Sequence, residues 1–134
     1  MLKEIVVRLH KNFEDFVHED GGVEFWFARG VDASGFARIR SRGDAALFGG
    51  HDTADIKRRL GVKPARPLAD FLPAVTIKAK DLANEMTNFN VKKDVAMQGE
   101  ASIMHEHEKN NAHVRETLVK SGIHPESLPR LKKV

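Results

Sequence analysis

Cysteine is absent from the 134 residues, which excludes disulfides and every thiolate mechanism. Long apolar runs are absent too. No stretch approaches the roughly 20 residues that a membrane span needs, so no membrane partner is expected. The opening segment MLKEIVVRLHKN is interrupted by Lys3, Glu4 and Arg8 and lacks the continuous apolar centre of a signal peptide. Internal repeats and low-complexity segments are missing. So is a recognisable catalytic constellation: the carboxylates are scattered, and no serine or threonine has an evident base partner. Gly49-Gly50 could offer backbone donors to a phosphate, but the lysine and spacing of a nucleotide-binding loop are not there. The expectation is a protein that is not an enzyme and takes no cofactor.

What the chain does contain is one modest core and an uneven charge. Hydrophobic residues make up 41%, enough for a single domain of this length. The net charge of +3 conceals a gradient. Residues 1–28 hold three Lys/Arg against six Asp/Glu, residues 29–66 nine against four, and residues 67–134 ten against nine. The middle third therefore carries the basic excess, in Arg38, Arg40, Arg42, Lys57, Arg58, Arg59, Lys63 and Arg66. A local concentration of positive charge is the footprint of a phosphate binder; a plain solvated face is the equal alternative.

Along the chain, Leu2, Ile5, Val6, Leu9, Phe13, Phe16 and Val17 recur at helical spacing, predicting a helix from Leu2 to about Phe13. Asp20-Gly21-Gly22 is a turn signal. Val23, Phe25 and Phe27 then alternate with Glu24, Trp26 and Ala28, the period of a strand, with Phe16 to His18 as a hairpin partner. Arg29 to Gly35 reads as a loop. Gly43 is expected to break the next segment, with Asp44 capping a short turn that ends at Gly49-Gly50. Thr53 is the expected N-cap of a helix from Ala54 to Leu60, closed by Gly61. Pro67 begins a second short helix carrying Leu68, Phe71 and Leu72. Helix, glycine turn, helix is helix-turn-helix-like spacing, shared by many plain helical corners. Pro73 either starts or kinks the next helix, whose expected buried stripe is Val75, Ala79, Leu82, Ala83, Met86 and Phe89. A last long helix spans about Ala101 to Ser121, with Ile103, Met104, His107, Val114 and Leu118 inward.

His105, Glu106, His107 and His113 resemble metal ligands at first sight. On one helix His105 and His107 diverge by about 200°, and His105 and His113 stand about 12 Å apart. Helical metal pairs use spacings of three or four, so no metal is expected.

Two separated parts of the chain resemble the DNA-damage-inducible protein D family of bacteria. FEDFVHEDGGVEFWFAR, Phe13 to Arg29, is similar to the entrance of that family's Bro-type N-terminal domain. The stretch from Gly30 to Val91, with GDAALFGG and RPLADFLP, resembles its C-terminal helical region, and the likeness continues through NNAHVRETL. Family members run on from the aromatic segment through a long Bro-type domain, whereas here Arg29 passes directly into Gly30. The resemblance implies a regulatory, non-enzymatic protein of the SOS response that acts on recombinase activity at single-stranded DNA.

Together these give a mainly α fold of four or five helices with one short N-terminal strand or hairpin, divided into an arm (1–29) and a helical domain (30–134). The expected function is DNA-damage accessory work in the cytoplasm, close to the nucleoid. Its expected partners are DNA, held by phosphate contacts from the eight cations, and a recombinase. The alternative is an interaction module that touches no DNA and forms a homodimer through residues 1–28.

Overall fold

The structure is a computed structural model and describes residues 22–131. The expected helix from Leu2, and Phe16 to His18 as hairpin partner of the expected strand, lie outside the described residues. Five α-helices succeed one another: α1 (Gly22–Ala28), α2 (Ala33–Leu47), α3 (Thr53–Leu60), α4 (Ala74–Lys93) and α5 (Glu100–Lys120). Single 3-10 turns occupy Leu68–Phe71 and Pro125–Ser127. Among the described residues the fold is mainly helical and has no strand, in keeping with the expected mainly α class.

The strand expected at Val23 to Phe27 is helix α1 instead. A strand must find backbone partners in a second strand, whereas a helix satisfies its own amides. Trp26 turns inward from α1, meeting Phe25 and Phe36 edge-on at centroid distances of 5.2 and 5.8 Å. Its carbonyl accepts from the amides of Arg29 and Val31. Arg29 then donates from Nη1 to the carbonyls of Val91, Asp94 and Met97, tying α1 to the C-terminal end of α4. Trp26 and Arg29 are thus buried against the helices that follow, while Phe27 is exposed.

Three other local expectations give way. The loop through Gly35 is shorter, because Asp32 accepts from the Gly35 amide at 2.8 Å and starts α2 at Ala33. Gly43 does not break α2, which continues through it to Leu47. At Gly43 a β-carbon would lie 2.5 Å from Cδ2 of His107, so the glycine is there to let α2 approach α5. Asp52, not Thr53, caps α3 by accepting from the Asp55 amide at 2.9 Å. Gly61 closes α3 as expected, at φ +70°.

The core has three sections, and their order along the helices shows how it is stacked. One apolar cluster joins Trp26, Val31, Phe36, Ile39, Val91 and Ile103. A second joins Leu47, Phe48, Ile56, Leu68, Leu72, Ala79, Ala83 and Val114. Between them on α2, α4 and α5 lies a buried polar band that includes Asp44, Lys80, Asn84, Thr87, Glu106, His107, Asn110 and Asn111. The chain enters the first cluster before the second on α2 and α5, and in the reverse order on α4. Helices α2 and α5 therefore run parallel and α4 runs against both.

Helix α4 corrects the expected stripe. Ala79 and Ala83 are buried, but Thr76, Lys80, Asn84, Thr87 and Asn88 share the inward face. Val75, Leu82 and Phe89 point to solvent. The inner face of α5 is closer to expectation: Ile103, His107 and Val114 are buried, and Met104 and Leu118 pack against the clusters.

Candidate nucleic-acid interface

The eight cations of the middle third fall into three groups. Arg38 and Arg42, one turn apart on α2, both face α5. Arg38 forms a bidentate pair with Glu100, at 2.5 and 2.7 Å. The shared hydrogen bond and charge hold the Glu100 carboxyl below its ordinary range. Arg42 reaches Glu108 at 3.4 Å. These two arginines stand in a strip already answered by acids of the same chain.

Arg40 turns the opposite way, toward α3. Burial lowers its pKa, with Asp44 opposing the shift. Lys57 is also half-buried; its Nζ donates to the Pro64 carbonyl at 2.9 Å, and burial followed by repulsion from Arg40 lowers its pKa. Both groups serve the interior around Asp44. That carboxylate is buried, paired with the Lys80 ammonium and accepting from Thr53 Oγ1 at 2.5 Å. The pair locks α2 to α4, and Thr53 brings in the first turn of α3.

The third group gathers where α3 ends. Arg58 leans back to Asp55 at 2.8 Å. Arg59 faces His51 Nε2 at 3.2 Å and the Glu126 carbonyl at 3.5 Å. Lys63 is exposed in the turn. The Arg66 guanidinium lies over the Phe71 ring at 5.3 Å. A further cation, Arg130, comes from the far end of the chain. Its guanidinium lies over the same ring at 4.8 Å, while Nη1 donates to the carbonyls of Leu60 and Gly61 at 3.0 and 2.9 Å. The Leu131 amide donates to the Phe71 carbonyl at 2.9 Å and fixes that crossing. From Ile56 to Ala69 the chain carries five cations and no carboxylate.

Sequence reasoning misses Arg130 because it reads there as part of a basic tail, with 64 positions between it and Arg66. Only the turn of the chain after Pro125 brings it to the corner. That turn is held by Arg115, whose guanidinium pairs with Glu126 at 2.7 and 3.0 Å and depresses the Glu126 pKa to about 2.

The helix-turn-helix-like expectation does not survive in this geometry. Beyond α3 stands one 3-10 turn of four residues, bracketed by Pro67 and Pro73. It is too short to lie in a major groove as a recognition helix does. The corner is a cluster of cations on a turn.

The histidines stay apart. Among the described residues no three His, Asp or Glu side chains come close enough to share a metal ion. His107 is enclosed in the polar band, where burial first and the Lys80 charge second push its pKa down to about 4. Its Nε2 faces the Asn111 amide nitrogen at 3.3 Å, so Nδ1 carries the proton of the neutral ring and meets Thr87 Oγ1 at 2.8 Å. Among the described residues no helix is long and apolar enough to cross a membrane.

A model of the family described as the DinD C-terminal domain matches residues 24–134. No curated protein and no solved structure matches the chain. The matched segment takes in the polar band, the basic corner and all five helices but for the first two residues of α1, and on that match the chain belongs to the DNA-damage-inducible protein D family.

Proposed function

We propose that this protein is a non-enzymatic regulator of the DNA-damage response that grips nucleic acid by its phosphates at the α3 corner. The observation that carries this is the convergence of Arg66 and Arg130 on one face of the domain, both against Phe71, beside Arg59 and Lys63. A ring beneath a guanidinium restricts its motion; Arg130 gives Nη1 to the Leu60 and Gly61 carbonyls, so a phosphate there would meet its remaining donors. Guanidinium groups so held match phosphate oxygens in pairs. Phosphate contact without base readout suits a factor that acts on single-stranded DNA of any sequence. Occupying such a strand limits the assembly of a recombinase on it, which is how the protein would regulate without catalysing.

The test is fluorescence anisotropy with labelled single- and double-stranded oligonucleotides across a salt series. About four phosphate contacts give a log-log salt slope near −3, and so a loss of affinity of about sixtyfold between roughly 50 and 200 mM salt. Changing Arg66 and Arg130 together to alanine makes the slope shallower by about two units. Changing Arg38 and Arg42 together leaves it unaltered, because Glu100 and Glu108 already hold them. Absence of binding at low salt refutes the proposal. Binding lost with the Arg38 and Arg42 pair but kept without Arg66 and Arg130 puts the contact elsewhere and refutes the corner.

A further inference from the structure

Helix α4 carries its more hydrophobic stripe on the outside. Thr76, Lys80, Asn84, Thr87 and Asn88 are buried, while Val75, Leu82 and Phe89 are 38, 54 and 67% exposed. These three recur every seven positions. A step of seven advances about 10.5 Å along a helix and falls only about 20° short of two full turns. The three therefore form a nearly straight apolar row about 21 Å long, and such a row marks a docking surface.

A segment outside the described residues has the same spacing. Leu2, Leu9 and Phe16 also stand seven apart, in a stretch whose helical pattern is completed by Ile5, Val6 and Phe13. As a helix this second row is again about 21 Å long. Two rows of equal period drift at the same rate and stay in contact when their helices pack side by side. The point of attachment sets the direction. The segment joins α1 at Gly22, and Arg29, just beyond α1, holds the Val91 carbonyl at 2.9 Å. It therefore enters at the Phe89 end of α4, and residues 17–21 can bridge up to about 20 Å between Phe16 and Gly22. Charge agrees with this placement. Residues 1–20 hold three Lys/Arg against five Asp/Glu, a net of −2, whereas α4 holds four against two, a net of +2.

We propose that residues 2–16 form a helix that docks on the outer face of α4 and runs in the same direction. Leu2 then meets Val75, Leu9 meets Leu82, and Phe16 meets Phe89. Exposed Lys78 comes level with Ile5, beside Glu4. The Lys93 ammonium, 5.3 Å from the centre of the Phe89 ring, stands at the end that receives Glu19 and Asp20. The docking does not draw on Asp81, Glu85, Asn88 or Lys92, which have interactions of their own. A tether of a few residues holds the segment at about millimolar effective concentration, which favours it over a second copy.

The lack of native cysteine makes this register testable in the full chain. Leu9→Cys with Leu82→Cys should close a disulfide within one molecule under mild oxidation, since bridging needs Cα atoms within about 7 Å. Leu2→Cys with Phe89→Cys, at opposite ends of the two rows, should not. Non-reducing gels separate a closed monomer from a linked dimer. Hydrogen exchange read by mass spectrometry gives a second measure. Amides of residues 2–16 are expected to be protected, and at least about tenfold less so in Leu82→Glu, the scale of one buried leucine. Unchanged protection of α2 and α5 shows that the variant folds. A Leu9–Leu82 pair that stays open or links only separate copies overturns the proposal. So does closure of the Leu2–Phe89 pair, or exchange of residues 2–16 that Leu82→Glu leaves unaltered.

Discussion

Replacing Gly43 with alanine isolates the close approach of α2 and α5. In an exposed helix interior this change stabilises by about 1 kcal/mol, because glycine gives up more backbone freedom on folding. Here the new β-carbon would meet His107 Cδ2 at 2.5 Å, Nε2 at 2.6 Å and Asn111 Nδ2 at 3.0 Å. Ordinary carbon contacts need about 3.5–4.0 Å, so something must move by about 1 Å. The imidazole is poorly placed to do so: Thr87 holds one nitrogen at 2.8 Å and Asn111 faces the other at 3.3 Å. Swinging the ring breaks a buried hydrogen bond, at about 1–3 kcal/mol. Leaving it in place and parting the helices is overpacking, at about 1–3 kcal/mol as well. Net of the propensity gain, Gly43→Ala is expected to destabilise by up to about 2 kcal/mol. Urea unfolding followed by the fluorescence of Trp26, the single tryptophan, measures it. The decisive comparison is the same substitution in a His107→Ala background, where the ring is gone and the gain of about 1 kcal/mol should return. A Gly43→Ala variant more stable than the parent, or a penalty unchanged without His107, would refute the packing account.

The polar band makes two further predictions. His107 titrates at about 4 when folded against an ordinary value of 6.5, so between those values the unfolded chain binds the extra proton and stability falls as the pH drops. The loss is up to about 3 kcal/mol, seen as a falling urea midpoint between pH 7 and 4 that flattens in His107→Leu. Below pH 4.5 the loss continues, as Glu126 is protonated out of its pair with Arg115, and Glu126→Gln removes that lower limb. Lys80→Ala strands the Asp44 carboxylate in the interior and should cost about 3–5 kcal/mol. Asp44→Ala combined with Lys80→Ala should cost less than Lys80→Ala alone, in the same unfolding assay.

Local chemistry explains which parts of the fold are legible in the sequence. Gly61, Pro67 and Pro73 punctuate the chain through their own backbone geometry, and the end of α3 and the start of α4 fall where they predict. The inner face of α5 is legible because Ile103, His107, Val114 and Leu118 repeat at helical spacing. Gly43 is not, because a glycine that ends a helix and one that admits a neighbouring ring are the same letter. The partner that decides between them, His107, is 64 positions away. The candidate interface is legible in part. Arg59, Lys63 and Arg66 do share a corner, but whether a cation is free depends on distant acids. Glu100 and Glu108 answer Arg38 and Arg42 from the far helix, and Arg130 joins Arg66 through tertiary folding alone.

Helix α4 shows why an apolar stripe cannot be assigned to the interior on hydrophobicity alone. Two stripes compete on it. Val75, Leu82 and Phe89 are the more hydrophobic, yet Ala79, Ala83, Asn84, Thr87 and Asn88 face the core. The reason lies in what α2 and α5 present to α4. Gly43 brings α2 and α5 close together, and the enclosed space is lined by Asp44, Glu106, His107 and Asn110. A row of Leu and Phe there would strip hydrogen bonds from these groups, at about 1–3 kcal/mol for each one left unpaired and more for a charge. Thr87 accepts from Asn110 at 2.9 Å and meets His107, while Lys80 meets Asp44. The polar stripe therefore wins the interior because the neighbouring helices are already polar, and the apolar stripe is forced outward as a consequence. The same pairing that seals the core leaves Val75, Leu82 and Phe89 exposed, with the Lys93 ammonium over the Phe89 ring at 5.3 Å. The composition of the polar band is thus the physical reason that the more hydrophobic stripe of α4 lies on its outer side.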